Sequence, residues 1–158
     1  MYTTIVHGTS LVEAERTPFI YSPQRVVQDW QMIEPLIVRS TEQSQGMILV
    51  EQIKAQLLEG KAALFTVEKW SGEIESLVVL EVVHYGTYTA ARIIACAGEA
   101  IAESMKFIDA LESWALTQGA IEIEAWCKPA QERLFCRPTF GFKHKCSIIT
   151  RDLRRKLQ

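Results

Sequence analysis

The chain has 158 residues, a mass of 17.9 kDa and a formal net charge of −2. Apolar residues make up 48% and charged residues 23%, which excludes disorder, collagen and coiled coil as the organising principle. No apolar run nears the ~20 residues needed to span a bilayer, and Met1-Tyr2-Thr3-Thr4-Ile5-Val6 lacks the basic and apolar segments of a signal peptide.

A chain of this length reads as one domain, 1–158. The four cysteines, Cys96, Cys127, Cys136 and Cys146, are too few and too irregular for a disulfide framework. Reduced thiols and a cytoplasmic setting are expected. The charge is divided unevenly. Residues 1–128 hold 9 Lys/Arg against 17 Asp/Glu, a net −8, and residues 129–158 hold 8 against 2, a net +6.

In chain order, 2–7 reads as a short strand and 8–23, with Pro18 and Pro23, as a loop. Val26, Val27, Trp30 and Ile33 fall at helical spacing, and Pro35 is expected to interrupt or restart that helix. A second helix covers 47–59 through Ile48, Leu49, Ile53, Leu57 and Leu58, stopped by Gly60. The period then changes to two. Strands are expected at 61–70, 74–84 and 88–97, joined by turns at Ser71-Gly72 and Gly86-Thr87. Leu77-Val78-Val79-Leu80 is apolar on both faces, so both faces should be covered. The clearest helix, about 99–118, presents Ile101, Met105, Ile108, Leu111 and Ala115, with Gly119 at its end. Ile121 to Cys127 alternates as a strand, Pro129 opens a short helix, and 142–153 reads as a last strand.

This order is α+β: a mixed sheet in an α/β/α layering, with an antiparallel meander, a long crossover helix and a C-terminal strand–helix–strand. Over about 24–153 it resembles the GNAT superfamily of acyl-CoA-dependent N-acyltransferases. Leu57-Leu58-Glu59-Gly60-Lys61-Ala62-Ala63-Leu64-Phe65 looks like that family's passage from second helix to second strand. Ala120 to Phe142, ending in Phe140-Gly141-Phe142, looks like its strand–helix–Gly-Phe segment.

The resemblance implies acetyl-CoA as co-substrate, without a metal. Its CoA loop, Gln/Arg-x-x-Gly-x-Gly/Ala, holds the pyrophosphate on backbone N–H groups at a helix start, where the dipole favours anions. It falls here on Ala97-Gly98-Glu99-Ala100-Ile101-Ala102. Ala97 replaces Gln/Arg, Ala100 replaces the first Gly, and Glu99 and Glu103 bring negative charge to the phosphate position. If CoA binds, Ala95, Cys96, Ala97, Gly98, Ala100 and Ala102 are the residues that the resemblance puts against it. Small residues at 95–98 equally permit tight packing of strand on helix.

The family's general-acid tyrosine, four residues before Gly-Phe, is Arg137 here. A guanidinium can stabilise negative charge but gives up no proton at neutral pH. Tyr85 and Tyr88 stand in the meander as substitutes. Glu81 and His84 are the candidates for the base that takes the amine proton. A solvated glutamate on a strand face is the plainer reading of Glu81.

Other chemistry is poorly represented. No tight Cys pair marks a zinc site, Cys96 has no basic neighbour in sequence, and no phosphate loop or nucleophile elbow occurs. The tryptophans are not interleaved with basic residues, and the acidic body would repel a polyanion, so general nucleic-acid binding is not expected. The basic stretch Lys143, Lys145, Arg151, Arg154, Arg155 and Lys156 suits a protein partner or docking between copies, acidic body to basic segment.

Two functions follow from the resemblance. In one, the CoA loop and general acid are degraded and the chain is a non-catalytic or atypical interaction or structural component, similar to the GNAT-like virion proteins of phage structural-gene clusters. In the other it is an acetyl-CoA-dependent N-acetyltransferase acting on a small amine or a protein amine.

Overall fold

The computed structural model describes residues 18–42, 44, 46–98 and 105–156, without the side chains of 105–107 and 155. The strand expected at 2–7, and Glu99, Ala100, Ile101, Ala102 and Glu103, lie outside them. The chain divides into two compact units, Met1–Trp126 and Cys127–Gln158.

In the first unit the helices are α1 (Pro23–Gln28), α2 (Trp30–Glu42), α3 (Val50–Leu58) and α4 (Met105–Thr117). Its strands are β1 (Phe19–Ile20), β2 (Ala62–Glu68), β3 (Ile74–His84), β4 (Thr89–Gly98) and β5 (Glu122–Ala125), and they form one sheet in that order. β1 to β4 pair antiparallel, and β5 joins β4 in parallel. The expected meander and the parallel strand beside it are both present. Parallel neighbours need a crossover connection, and α4 lies in it.

Both faces of the sheet are covered, as the double-sided apolar centre of β3 requires. Leu77 and Val79 pack with Leu64, Ile33, Ile37, Ile53 and Leu57 beneath α1–α3. Val78 and Leu80 pack with Phe65, Leu111 and Ala115 beneath α4. The helices supply these residues at i, i+4 spacing: Ile33 with Ile37, Ile53 with Leu57, Leu111 with Ala115. Each large side chain buried this way contributes about 1.5–3 kcal/mol. Ile108 is buried and Asp109 and Glu112 are exposed, so the apolar face read from the sequence is correct over the described turns.

Three expectations differ from the structure. The first helical break falls at Asp29, not Pro35, which lies inside α2. Pro35 is exposed, so water can take the carbonyl left without its N–H partner. The loop expected over 8–23 contains β1, where Phe19 and Ile20 pair with Thr66 and Phe65. Two residues are too few to show a period. The third difference lies in the second unit. Its helix α5 (Pro129–Phe135) begins with proline at its first position, and the Phe135 ring meets those of Phe140 and Phe142 at 6.3 and 5.2 Å. Residues 142–153, however, carry no strand. Lys143, His144 and Lys145 are consecutive polar residues, and the exposed Ile148 and Ile149 are adjacent, so no single apolar face exists to dock.

One irregularity in the first unit matters for the site. Val79 opposes Ala95 while Leu80 opposes Ile93, so Ile94 is an extra residue in β4. Such a bulge bends its strand and increases the local twist. The β4–β5 ladder ends at Ile93 and Ala125, whereas β4 continues to Gly98.

Candidate functional site

A row of charge crosses the sheet just before that divergence. Glu81 on β3 is registered against Arg92 on β4, and Arg92 against Glu124 on β5. Strand alternation carries all three to the α1–α3 face, since Leu77 and Val79 of β3 pack there. Arg92 Nε donates to Glu124 Oε1 at 2.6 Å, Nη1 lies 3.4 Å from Glu81 Oε1, and Nη2 donates to the Tyr85 hydroxyl at 3.1 Å. The Tyr85 hydroxyl donates to Glu124 at 2.8 Å, and Gln56 of α3 donates to Glu81 Oε2 at 3.0 Å. The guanidinium also lies over the Trp126 ring, 4.1 Å from its centroid.

The three charged side chains are only 16–18% exposed. Burial works against the charge of Arg92, but hydrogen bonds to Glu124 and Tyr85 outweigh it and hold the guanidinium above its ordinary pKa. Tyr85 is also raised, first by its bond to the Glu124 carboxylate. That makes it a weaker acid than a free tyrosine. Each oxygen of Glu81 accepts one hydrogen bond, from Gln56 and from Arg92, which fixes the carboxylate in place. The cluster is a clamp across three strands.

His84 ends β3 with Nδ1 3.1 Å from Thr89 Oγ1. Alternation puts it on the opposite face from Glu81, so the two candidate bases are not brought together. Arg137 lies in the second unit, exposed, with its carbonyl accepting from Phe140 and Gly141.

The small residues on β4 have structural occupations. Ala95 and Ala97 are buried beneath α1–α3. Gly98 has φ +111°, and a Cβ there would run into the Glu75 carbonyl oxygen and stand 2.6 Å from Ser76 Cα. Its smallness admits β3, and alanine would force the β3 backbone to shift. The Cys96 N–H donates to Ser40 Oγ of α2 at 3.0 Å. Its thiol is pushed up to about 11 by burial. The thiolate is the reactive species, so iodoacetamide at pH 8 should modify the exposed Cys136 and Cys146 well before Cys96. Peptide mass spectrometry of the native and the urea-unfolded chain checks this. Equal native rates at all three would contradict the buried position. Because the folded pKa is the higher one, the thiol's contribution to stability is present below about pH 9 and fades as pH rises towards 11.

Arg92, Glu124, Gln56 and Ser40 were not singled out by the sequence. A lone arginine in an otherwise apolar strand was the available signal for Arg92. Its partners depend on sheet register. Among the described residues no group of three His, Cys, Asp or Glu side chains is placed to hold a metal ion.

The same fold occurs in solved acetyltransferases. A predicted acetyltransferase from Clostridium acetobutylicum, solved with acetyl-CoA, superposes with a TM-score of 0.65 at 11% identity, covering 88% of this chain and 97% of its own. Glucosamine-6-phosphate N-acetyltransferase from Arabidopsis thaliana gives 0.60 at 11%, covering 87% and 99%. An aminoglycoside acetyltransferase from an uncultured soil metagenomic sample gives 0.60 at 13%, covering 86% and 97%. No protein-family model and no curated protein matches the sequence. The architecture is that of an α+β protein with a mixed five-stranded sheet. More narrowly, the chain has the GNAT-superfamily fold.

Proposed function

We propose that this chain is a GNAT-fold protein that does not transfer acetyl groups by the usual route and acts as an interaction component. The observation that carries the reading is the state of its acid–base groups. Glu81 is held between Gln56 and the Arg92 cation, and the Tyr85 hydroxyl donates its proton to Glu124 and is made less acidic by it. Both groups are tied into the clamp across the strands, where a general base and a general acid would have to face a substrate. The partner would be a protein of complementary charge or a second copy, because net charges of −8 and +6 on two stretches of one chain attract in trans. The phage-virion setting rests on the sequence resemblance alone and gains nothing from the solved neighbours.

Calorimetric titration with acetyl-CoA is the test. We expect a Kd weaker than about 1 mM, which corresponds to about 4 kcal/mol of binding. Micromolar binding with turnover of an amine would overturn the reading. Light scattering behind a sizing column tests the interaction role. A mass above 17.9 kDa at low salt should fall towards it as salt rises, because screening shortens the reach of surface charges. A monomer at every salt concentration would remove self-association.

The second reading is an acetyl-CoA-dependent N-acetyltransferase acting on a small amine or a protein amine. It is favoured by the continuation of β4 past its ladder with β5, and by the acetyl-CoA held by the Clostridium protein of the same fold.

A further inference from the structure

We propose that the apolar groove between β1 and α4 is covered by the chain's own N-terminal segment, through Leu11 and Val12. The groove follows from uneven cover. Five strands about 4.8 Å apart are wider than one helix of about 10 Å. Side chains of α1, α2 and α3 pack on one face of the sheet. Among the described residues of this unit, α4 is the one helix on the other. Ile20 of β1 is registered with Phe65, which places it on the α4 face, yet it remains 50% exposed. With Pro18, Phe65, Ala110 and Trp114 it lines a groove of about 490 Å³.

The occupant is indicated by where the chain enters. Pro18 is the first described residue and also a wall of the groove, so residues 1–17 are tethered at its rim. Reading back from Pro18, residues 13–17 are mostly polar, and Leu11-Val12 is the first apolar pair. Seven residues reach up to about 23 Å. The groove wall from Ala110 to Thr117 runs about 10 Å along α4, so the tether has length to reverse direction and still lie in it. Ile5-Val6 would have to close a loop nearly twice as long, at a greater cost in entropy. A short tether presents its segment at an effective concentration on the order of millimolar, which a second copy must reach in solution. The inference is independent of whether the chain transfers acetyl groups.

Isotope-edited NOE spectra of the full chain test this. Cross-peaks are expected from the methyls of Leu11 and Val12 to the Trp114 ring and the Ile20 methyls. Their absence, or cross-peaks from Ile5 and Val6 in their place, would overturn the proposal. In a mixture of labelled and unlabelled copies, cross-peaks between copies would give the groove to a second molecule and overturn it as well. Leu11→Ser with Val12→Ser should lower the folding equilibrium constant, measured in urea, by about tenfold or more, the scale of withdrawing buried aliphatic side chains. Glu13→Ser with Glu15→Ser alters the polar part of the tether and should change it by no more than about twofold. A loss below about threefold at Leu11 and Val12, or equal losses in the two double variants, would overturn the proposal.

Discussion

Replacing Phe65 with alanine should lower the unfolding free energy by about 3–5 kcal/mol. Phe65 is wholly buried in the middle of β2, packed with Val78, Leu80, Leu111 and Ala115. Its ring meets Trp114 edge to face, with centroids 6.1 Å apart. It also forms part of the wall of a groove of about 490 Å³, lined by Pro18, Phe19, Ile20, Ala110, Ser113, Trp114 and Thr117. Truncation would enlarge that space where the sheet and α4 keep their places, so collapse recovers little of the loss. For a chain of this size the melting temperature should fall by about 6–20 °C, at roughly 2–4 °C per kcal/mol. Urea denaturation followed by circular dichroism measures both. A loss under about 1 kcal/mol would mean that the sheet and α4 are not joined through this ring.

The second large effect is expected at Arg92. Arg92→Met keeps the volume of the stem and removes the charge between two carboxylates, each 16% exposed. Glu81 and Glu124 would then face each other without a cation. Breaking a well-desolvated pair from one side is costly, and we expect about 2–4 kcal/mol. The double variant Arg92→Met with Glu124→Gln should recover part of this, because it also removes the stranded charge. Equal losses in the single and double variants would show that the arginine acts through packing on Trp126 rather than as the partner of Glu124.

Much of the architecture was legible because it depends on period and punctuation. The change from helical spacing at Ile53 and Leu57 to alternation at Ala63, Phe65 and Val67 is written in the residues. Gly60 marks the place with φ +73° and a Lys61 N–H bonded back to Gln56. The doubly apolar centre of β3 predicted two cover layers, and two are present. The last strand was misread because residues 142–153 contain apolar residues without an apolar face. The site was less legible, and for a different reason. Glu81 was visible as a carboxylate, but its meaning depends on Arg92, 11 residues away, and on Gln56, 25 residues away. Those partners come from register and from helix docking, which single-chain periodicity does not encode. Gly98 reads from the sequence equally as room for a ligand or room for a neighbour, and that Glu75 and Ser76 stand against it becomes visible only once the strands are in register.

The bulge in β4 has an unusual genetic property. Ile94 and Ala95 both pack towards α1–α3, whereas Ile93 and Cys96 both pack towards α4. Removing Ile94 would therefore restore a regular pleat without turning any other residue of the strand to the wrong side. A three-nucleotide deletion, usually ruinous inside a central strand, would here be tolerated by the core. It would also take away the extra twist beside the point where the β4–β5 ladder ends. The local twist of this strand is thus a separable trait, carried by one codon and able to be lost or regained while the rest of the fold stays in frame.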